Sequence, residues 1–165
     1  MHIATDDFLY FINAALDGMV RIVEELGDER VNLRPDIPGA NSPYVILYHC
    51  VGCTTFWIGT LLGGRQVNRD RDAEFQARGT VADLVDAVHS LQKQLPEDLA
   101  QVQGDQSLAY PEALLAQGGT TRQDVRHWRQ GKALVHAYEE LAQHHGQMEI
   151  TRDILMHQGA SASHR

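Results

Sequence analysis

A spacing near the C-terminal end constrains this chain more than any other feature: His136, Glu140 and His144 stand four residues apart in HAYEELAQHHGQMEITRDIL. Residues at that interval share one face of an α-helix, so Glu140 and His144 can close on one ion without distorting the backbone. Such a pair is half a metal site, and the remainder has to come from another segment. The best donor is His49 in SPYVILYHCVGCTTFWIGTLL, an imidazole set among apolar residues of a second helical stretch. Taken alone, a buried His is more often a hydrogen-bonded core residue than a ligand. Glu140 shares a stripe with Ala133, His136, Ala137, Leu141, His144 and Met148, where its carboxylate would be buried unless a cation met it. The competing reading puts Glu140 on a solvated face beside Glu139 and basic partners, and spacing alone leaves both open. Two imidazoles and one carboxylate suit a borderline-soft divalent ion with open positions, zinc first, with nickel and manganese also compatible.

Composition bounds what such a site can belong to. With 165 residues and 43% apolar content, the chain is expected to form a single domain over 1–165 with a substantial core. Its net charge of −8, with no run among the 14 basic residues, argues against a phosphate-binding surface and so against nucleic acid as a partner. No apolar run approaches the roughly 20 residues of a membrane span. The start, MHIATDDFLYF, lacks the basic-then-apolar order of a signal peptide, so a cytoplasmic, soluble protein is expected. Cys50 and Cys53, three residues apart, cannot staple distant segments, which fits a reducing compartment.

Along the chain, Thr5, Asp6 and Asp7 start a helix whose apolar stripe, from Phe8 through Ile12, Ala15, Met19 and Ile22 to Leu26, stops at Gly27. Pro35, Pro38 and Gly39 make the next stretch a loop. Ser42 caps and Pro43 opens a second helix that runs to Gly63-Gly64 and is apolar nearly all round, hence the most buried. The segment 63–79 is a long polar crossover, of the kind that often lines a site. Thr80 to Asp83 resembles a capping box and launches a third helix, which Pro96 kinks or ends. From Gly104 to about Thr121 the chain is irregular; a fourth helix begins between Arg122 and Gln130 and ends near Met156, leaving a frayed tail from about 159. No strand signal or repeat stands out. Four helices with two long connections predict an all-α four-helix bundle with crossovers.

A His in the second helix, followed by H-x3-E-x3-H, Gly146-Gln147 and Arg152, resembles the DinB-like superfamily, and more narrowly the branch of the mycothiol-dependent maleylpyruvate isomerase and related thiol S-transferases. The resemblance spans most of the chain. It implies a four-helix bundle with a divalent metal, commonly zinc, held by His49, Glu140 and His144. His136 would lie outside these ligands or support them. Many DinB-like proteins have His where this chain has Glu140, as the isomerase branch does not. The implied activity is a transferase or isomerase in which a metal-bound low-molecular-weight thiol, mycothiol in that branch, attacks a small electrophile. Gln147 and Arg152 match the tail of the motif and are candidates for the cosubstrate, although Arg152 could equally pair with Glu149 or Asp153. Homodimers are common among such relatives.

Other residues carry plainer expectations. Cys50 and Cys53 lie inside a helix, away from its N-terminal dipole, and read as core packing. His145 should point away from His144, and His157 and His164 should be solvated. Arg71 and Glu74 are structural charges or substrate contacts, and Phe56 and Trp57 are core before they are a substrate wall. Two other functions stay open: a metal-dependent hydrolase using metal-bound hydroxide, and a non-catalytic module that keeps the metal for structure while binding a ligand or dimerising.

Overall fold

The computed structural model describes residues 3–116, 125 and 127–162, and among these the chain is helical, with no strand beyond a single bridge between Ser107 and Arg129. Helix α1 spans Thr5–Arg30, with Asp6 and Asp7 in its first turn, where their charge opposes the helix dipole. Gly27, at φ 64° and ψ 174°, breaks the helical path where the stripe stops, and a last turn closes through Val31 N–H to the Gly27 carbonyl at 3.0 Å. Helix α2 spans Pro43–Thr54; the Ser42 hydroxyl accepts the Val45 N–H at 3.3 Å and Pro43 occupies the first turn. Nine of the twelve residues of α2 are buried, in keeping with its composition.

Beyond Thr54 the same helix widens into a π-helical turn over Thr55–Thr60, with Leu61 N–H bonded to the Phe56 carbonyl at 3.0 Å. The crossover that follows holds one short helix, α3, Arg71–Glu74, started by the Asp70 carboxylate accepting the Ala73 N–H. Helix α4, Val81–Leu99, begins with the expected capping box between Thr80 and Asp83. Pro96 does not end it. The helix carries on to Leu99, whose side chain is buried in the core. A short α5, Ala113–Ala116, interrupts the irregular stretch, and α6, Gln130–Ala162, starts at the late edge of its expected window and runs past Met156. His164 lies outside the described residues.

Helix α1 packs against α4 and α6, and α2 packs against the same two. So α1 and α2 take one diagonal of a square bundle, and α4 and α6 take the other. Ile12, Leu16, Met19, Leu47, Leu84, Leu95, Leu141 and Met148 are fully buried between them. Burying each such side chain contributes about 1.5–3 kcal/mol, which fixes the register in which α2 and α6 face one another. A second cluster, including Phe56, Leu61, Leu108, Leu114 and Ala133, seals the end where 104–108 meets the start of α6. No described helix is long and apolar enough to cross a membrane.

Candidate metal centre

The α2–α6 contact brings His49 against the four-residue ladder of α6. His49 Nε2 lies 4.0 Å from Glu140 Oε2, and His144 Nε2 lies 3.7 Å from the same oxygen. His49, Glu140 and His144 each offer one ligand atom, all within 4.8 Å of one another. A tetrahedral ion with bonds of about 2.0–2.2 Å spaces its ligand atoms about 3.4 Å apart, so modest side-chain closure reaches coordinating geometry. The two imidazoles stand nearly perpendicular, at 86°, with ring centres 5.3 Å apart. His49 Nδ1 faces Glu74 Oε2 at 2.7 Å, and His144 Nδ1–H donates to Gln147 Oε1 at 2.8 Å. Both Nε2 atoms are thereby left for the space beside Glu140.

The site's electrostatics keep Glu140 ionised. The His144 imidazole, 3.7 Å away, holds Glu140 below the usual carboxylate range, against the effect of burial and with help from His136 and His49. The proximity of that carboxylate raises His144 in turn, against burial and assisted by Gln147. Donor types, spacing and an ionised carboxylate together fit a divalent ion. His49 is buried, whereas Glu140 and His144 keep 31% and 28% of their side chains exposed, so the space between them opens toward solvent on the α6 side.

His136 stands one turn away, its Nε2 3.7 Å from Glu140 Oε1. Its ring meets Trp57 and Trp128 edge-on, at 4.6 and 5.4 Å, and those two indoles stack at 5.5 Å. Trp57 therefore faces the site, while Phe56 is core. Glu74 is neither exposed nor a loose charge: it is buried, takes two bonds from Arg69, at 2.6 and 2.9 Å, and stays ionised because those bonds and the one with His49 outweigh its desolvation. Arg71 lies over Phe75, which packs on His49. Phe75, with Val67 one of the two apolar residues of the crossover able to anchor it to the bundle, does so on the His49 ring, whereas Arg69 and Trp128 carry no signal in the sequence because each reaches the site through tertiary packing of irregular segments.

The remaining candidates fall elsewhere. Cys50 and Cys53 are buried; desolvation pushes Cys53 up to about 12 and Cys50 well above its ordinary value, so both remain thiols near neutral pH. His145 turns to α1, against Gly18. Arg152, about 12 Å along α6 from His144, is bonded to Asp153 at 2.8 Å and lies 3.4 Å from Glu25. His157 is exposed. A cavity of about 720 Å³ between the ends of α1, α4 and α6 is lined by Phe8, Leu99, Val102 and Leu134 and contains none of the three converging side chains.

A family model described as mycothiol-S-transferase matches residues 7–156. The chain belongs to that family. Membership agrees with the expectation raised by the His49 and H-x3-E-x3-H pattern. Two solved structures share the fold: a DinB-like protein from Bacillus cereus, 14% identical over 97% of this chain and 95% of that one, with a TM-score of 0.67, and a conserved protein from Enterococcus faecalis, 12% identical over 94% and 99%, with a TM-score of 0.69. At such identities the likeness is one of fold. No curated protein matches the chain in sequence.

Proposed function

We propose that this member of the mycothiol-S-transferase family is a divalent-metal-dependent enzyme that joins a low-molecular-weight thiol, mycothiol or a close analogue, to a small electrophile. His49, Glu140 and His144 are the ligands in this reading, and zinc is the metal. The observation that carries it is the convergence of two Nε2 atoms and one carboxylate oxygen on a space that stays open on one side. When bound there, zinc supplies the positive charge that lets a thiol lose its proton near neutral pH.

The chain's own groups set the conditions. Glu74 and Gln147 occupy the two Nδ1 atoms, so both rings present Nε2 inward. Phe75 walls the buried side against the His49 ring, and Trp57 packs on His136 one turn away. Cys50 and Cys53 stay protonated and do not compete with the cosubstrate thiol. Arg152 can meet an anionic group of the cosubstrate only by giving up Asp153 or Glu25.

Metal content and turnover test the reading together. Protein purified without a metal column is expected to carry one zinc per chain, lost in His49→Ala, Glu140→Ala and His144→Ala while helicity is kept. Zinc-loaded wild type should consume a haloalkyl electrophile only when thiol is added. Thiol-independent ester or amide cleavage would replace this reading with a hydrolase, and unfolding on metal removal would replace it with a structural site.

A further inference from the structure

We infer that Glu74 is a positioning residue: it locks His49 in the tautomer that presents Nε2 to Glu140 and His144, Arg69 clamps it there, and Gly52 leaves the room it needs. The consequence for metal rests on the proposed function, but the tautomer is a property of the metal-free chain.

The distances leave little choice of proton position. An ionised carboxylate can only accept, and Glu74 Oε2 sits 2.7 Å from His49 Nδ1, so the proton of a neutral imidazole has to be on Nδ1. The opposite tautomer would set a lone pair against a carboxylate oxygen. Arg69 Nη2, the other group near Nδ1, is 3.5 Å away, too far to compete as a donor. With Nδ1 protonated, the lone pair of Nε2 points at the α6 ladder, which is the form a metal or an acid partner requires.

A buried carboxylate would reorient or take up a proton if nothing answered its charge. Arg69 answers it with a two-bond grip on both oxygens, and its own side chain is only 7% exposed. The guanidinium is backed in turn by the Phe56 ring at 5.7 Å, in the π-helical turn of the helix that carries His49. Gly52 lies one turn after His49 on α2. A Cβ at this position would overlap Glu74 Oε1 and stand 3.1 Å from its Cδ, so any side chain there has to displace the carboxylate from the place in which it meets Arg69 and the imidazole. Three residues on two segments thus serve one nitrogen atom, and two of them belong to the crossover.

Nitrogen-15 NMR of His49 in metal-free protein, read beside zinc affinity from chelator competition, tests this. Wild type should show the Nδ1–H tautomer. Glu74→Ala should shift it toward the Nε2–H form and weaken zinc by about 10–100-fold with far-ultraviolet circular dichroism unchanged. Gly52→Ala should weaken zinc comparably although it removes no polar group, and the double variant should be no weaker than Glu74→Ala, because both changes break the same contact. Glu74→Gln, which keeps an acceptor for Nδ1–H but not the charge that holds Arg69, should retain the tautomer with a smaller loss, and it serves should the alanine variant fold poorly. An unchanged tautomer in Glu74→Ala, affinities within about twofold of wild type in Glu74→Gln and Gly52→Ala, or additive losses in the double variant would overturn the inference. A wild type that binds no zinc yet loses the Nδ1–H tautomer in Glu74→Ala would sink the metal reading and uphold this one.

Discussion

Glu140 divides its two oxygens: Oε2 faces His49 and His144, and Oε1 faces His136. That division separates the proposed ligands from their neighbour within a single carboxylate. His136→Phe should keep the ring packing on Trp57 and Trp128 and retain one zinc per chain, with affinity lowered less than tenfold. His144→Ala should lose the metal on dialysis, and metal analysis of the two variants checks the contrast. Cys53 gives a pH-dependent test. Its folded pKa is about 12, raised mainly by burial, against about 8.5 for a free thiol. The unfolded chain therefore releases that proton first, and the stability it contributes, complete below pH 8.5, is lost as pH rises toward 12. In urea unfolding between about pH 9 and 11, Cys53→Ala should lose stability less steeply than wild type, by about 1.4 kcal/mol per pH unit. The pairing of Glu140 with His144 was legible because helical spacing is written directly in sequence. Arg69 and Trp128 were not, since nothing periodic marks a loop side chain that reaches the site from 20 residues past His49 or from the residue pair before α6.

Helix α2 carries His49, and its start depends on one hydroxyl. Ser42 is buried and satisfies the N–H of Val45, itself buried. Ser42→Ala should cost about 1 kcal/mol, a fall of roughly 2–4 °C in thermal midpoint. Zinc affinity should stay unchanged, because His49 sits two turns further on; calorimetry and chelator competition read the two effects separately. Caps of this kind were legible, as were the box at Thr80 and the stop at Gly27, because each is a local bargain between side chain and backbone. Pro96, expected to kink or end its helix, does not end it, and the reason is tertiary. It lies near the helix end, where one lost bond matters little, and buried Leu95 and Leu99 on either side hold the last turn in the core. The π-helical turn at Thr55–Thr60 has no sequence signature of its own, yet it is the segment that supplies both Phe56 to Arg69 and Trp57 to His136.

At the scale of the bundle, the proposed ligands come from α2 and α6, which already pack as neighbours around a core that does not include the ligands of α6. The four-helix architecture was legible from the stripes, but the pairing was not: which helices share a diagonal is decided by the complementary shapes of buried side chains. This arrangement predicts how metal and fold are linked. Because the hydrophobic core is complete without the ion, chelated protein should keep its helical signal and a cooperative melt. Because only the folded chain brings α2 to α6, zinc at about 1,000 times its dissociation constant should add about 4 kcal/mol, a rise on the order of 10 °C. His49→Ala should abolish the zinc-dependent rise without abolishing the melt itself, since it severs one side of the link and leaves the packing of α2 on α6 in place. A scanning calorimeter run with chelator, with zinc, and with zinc on His49→Ala separates an ion added to a finished bundle from one that the bundle needs in order to form.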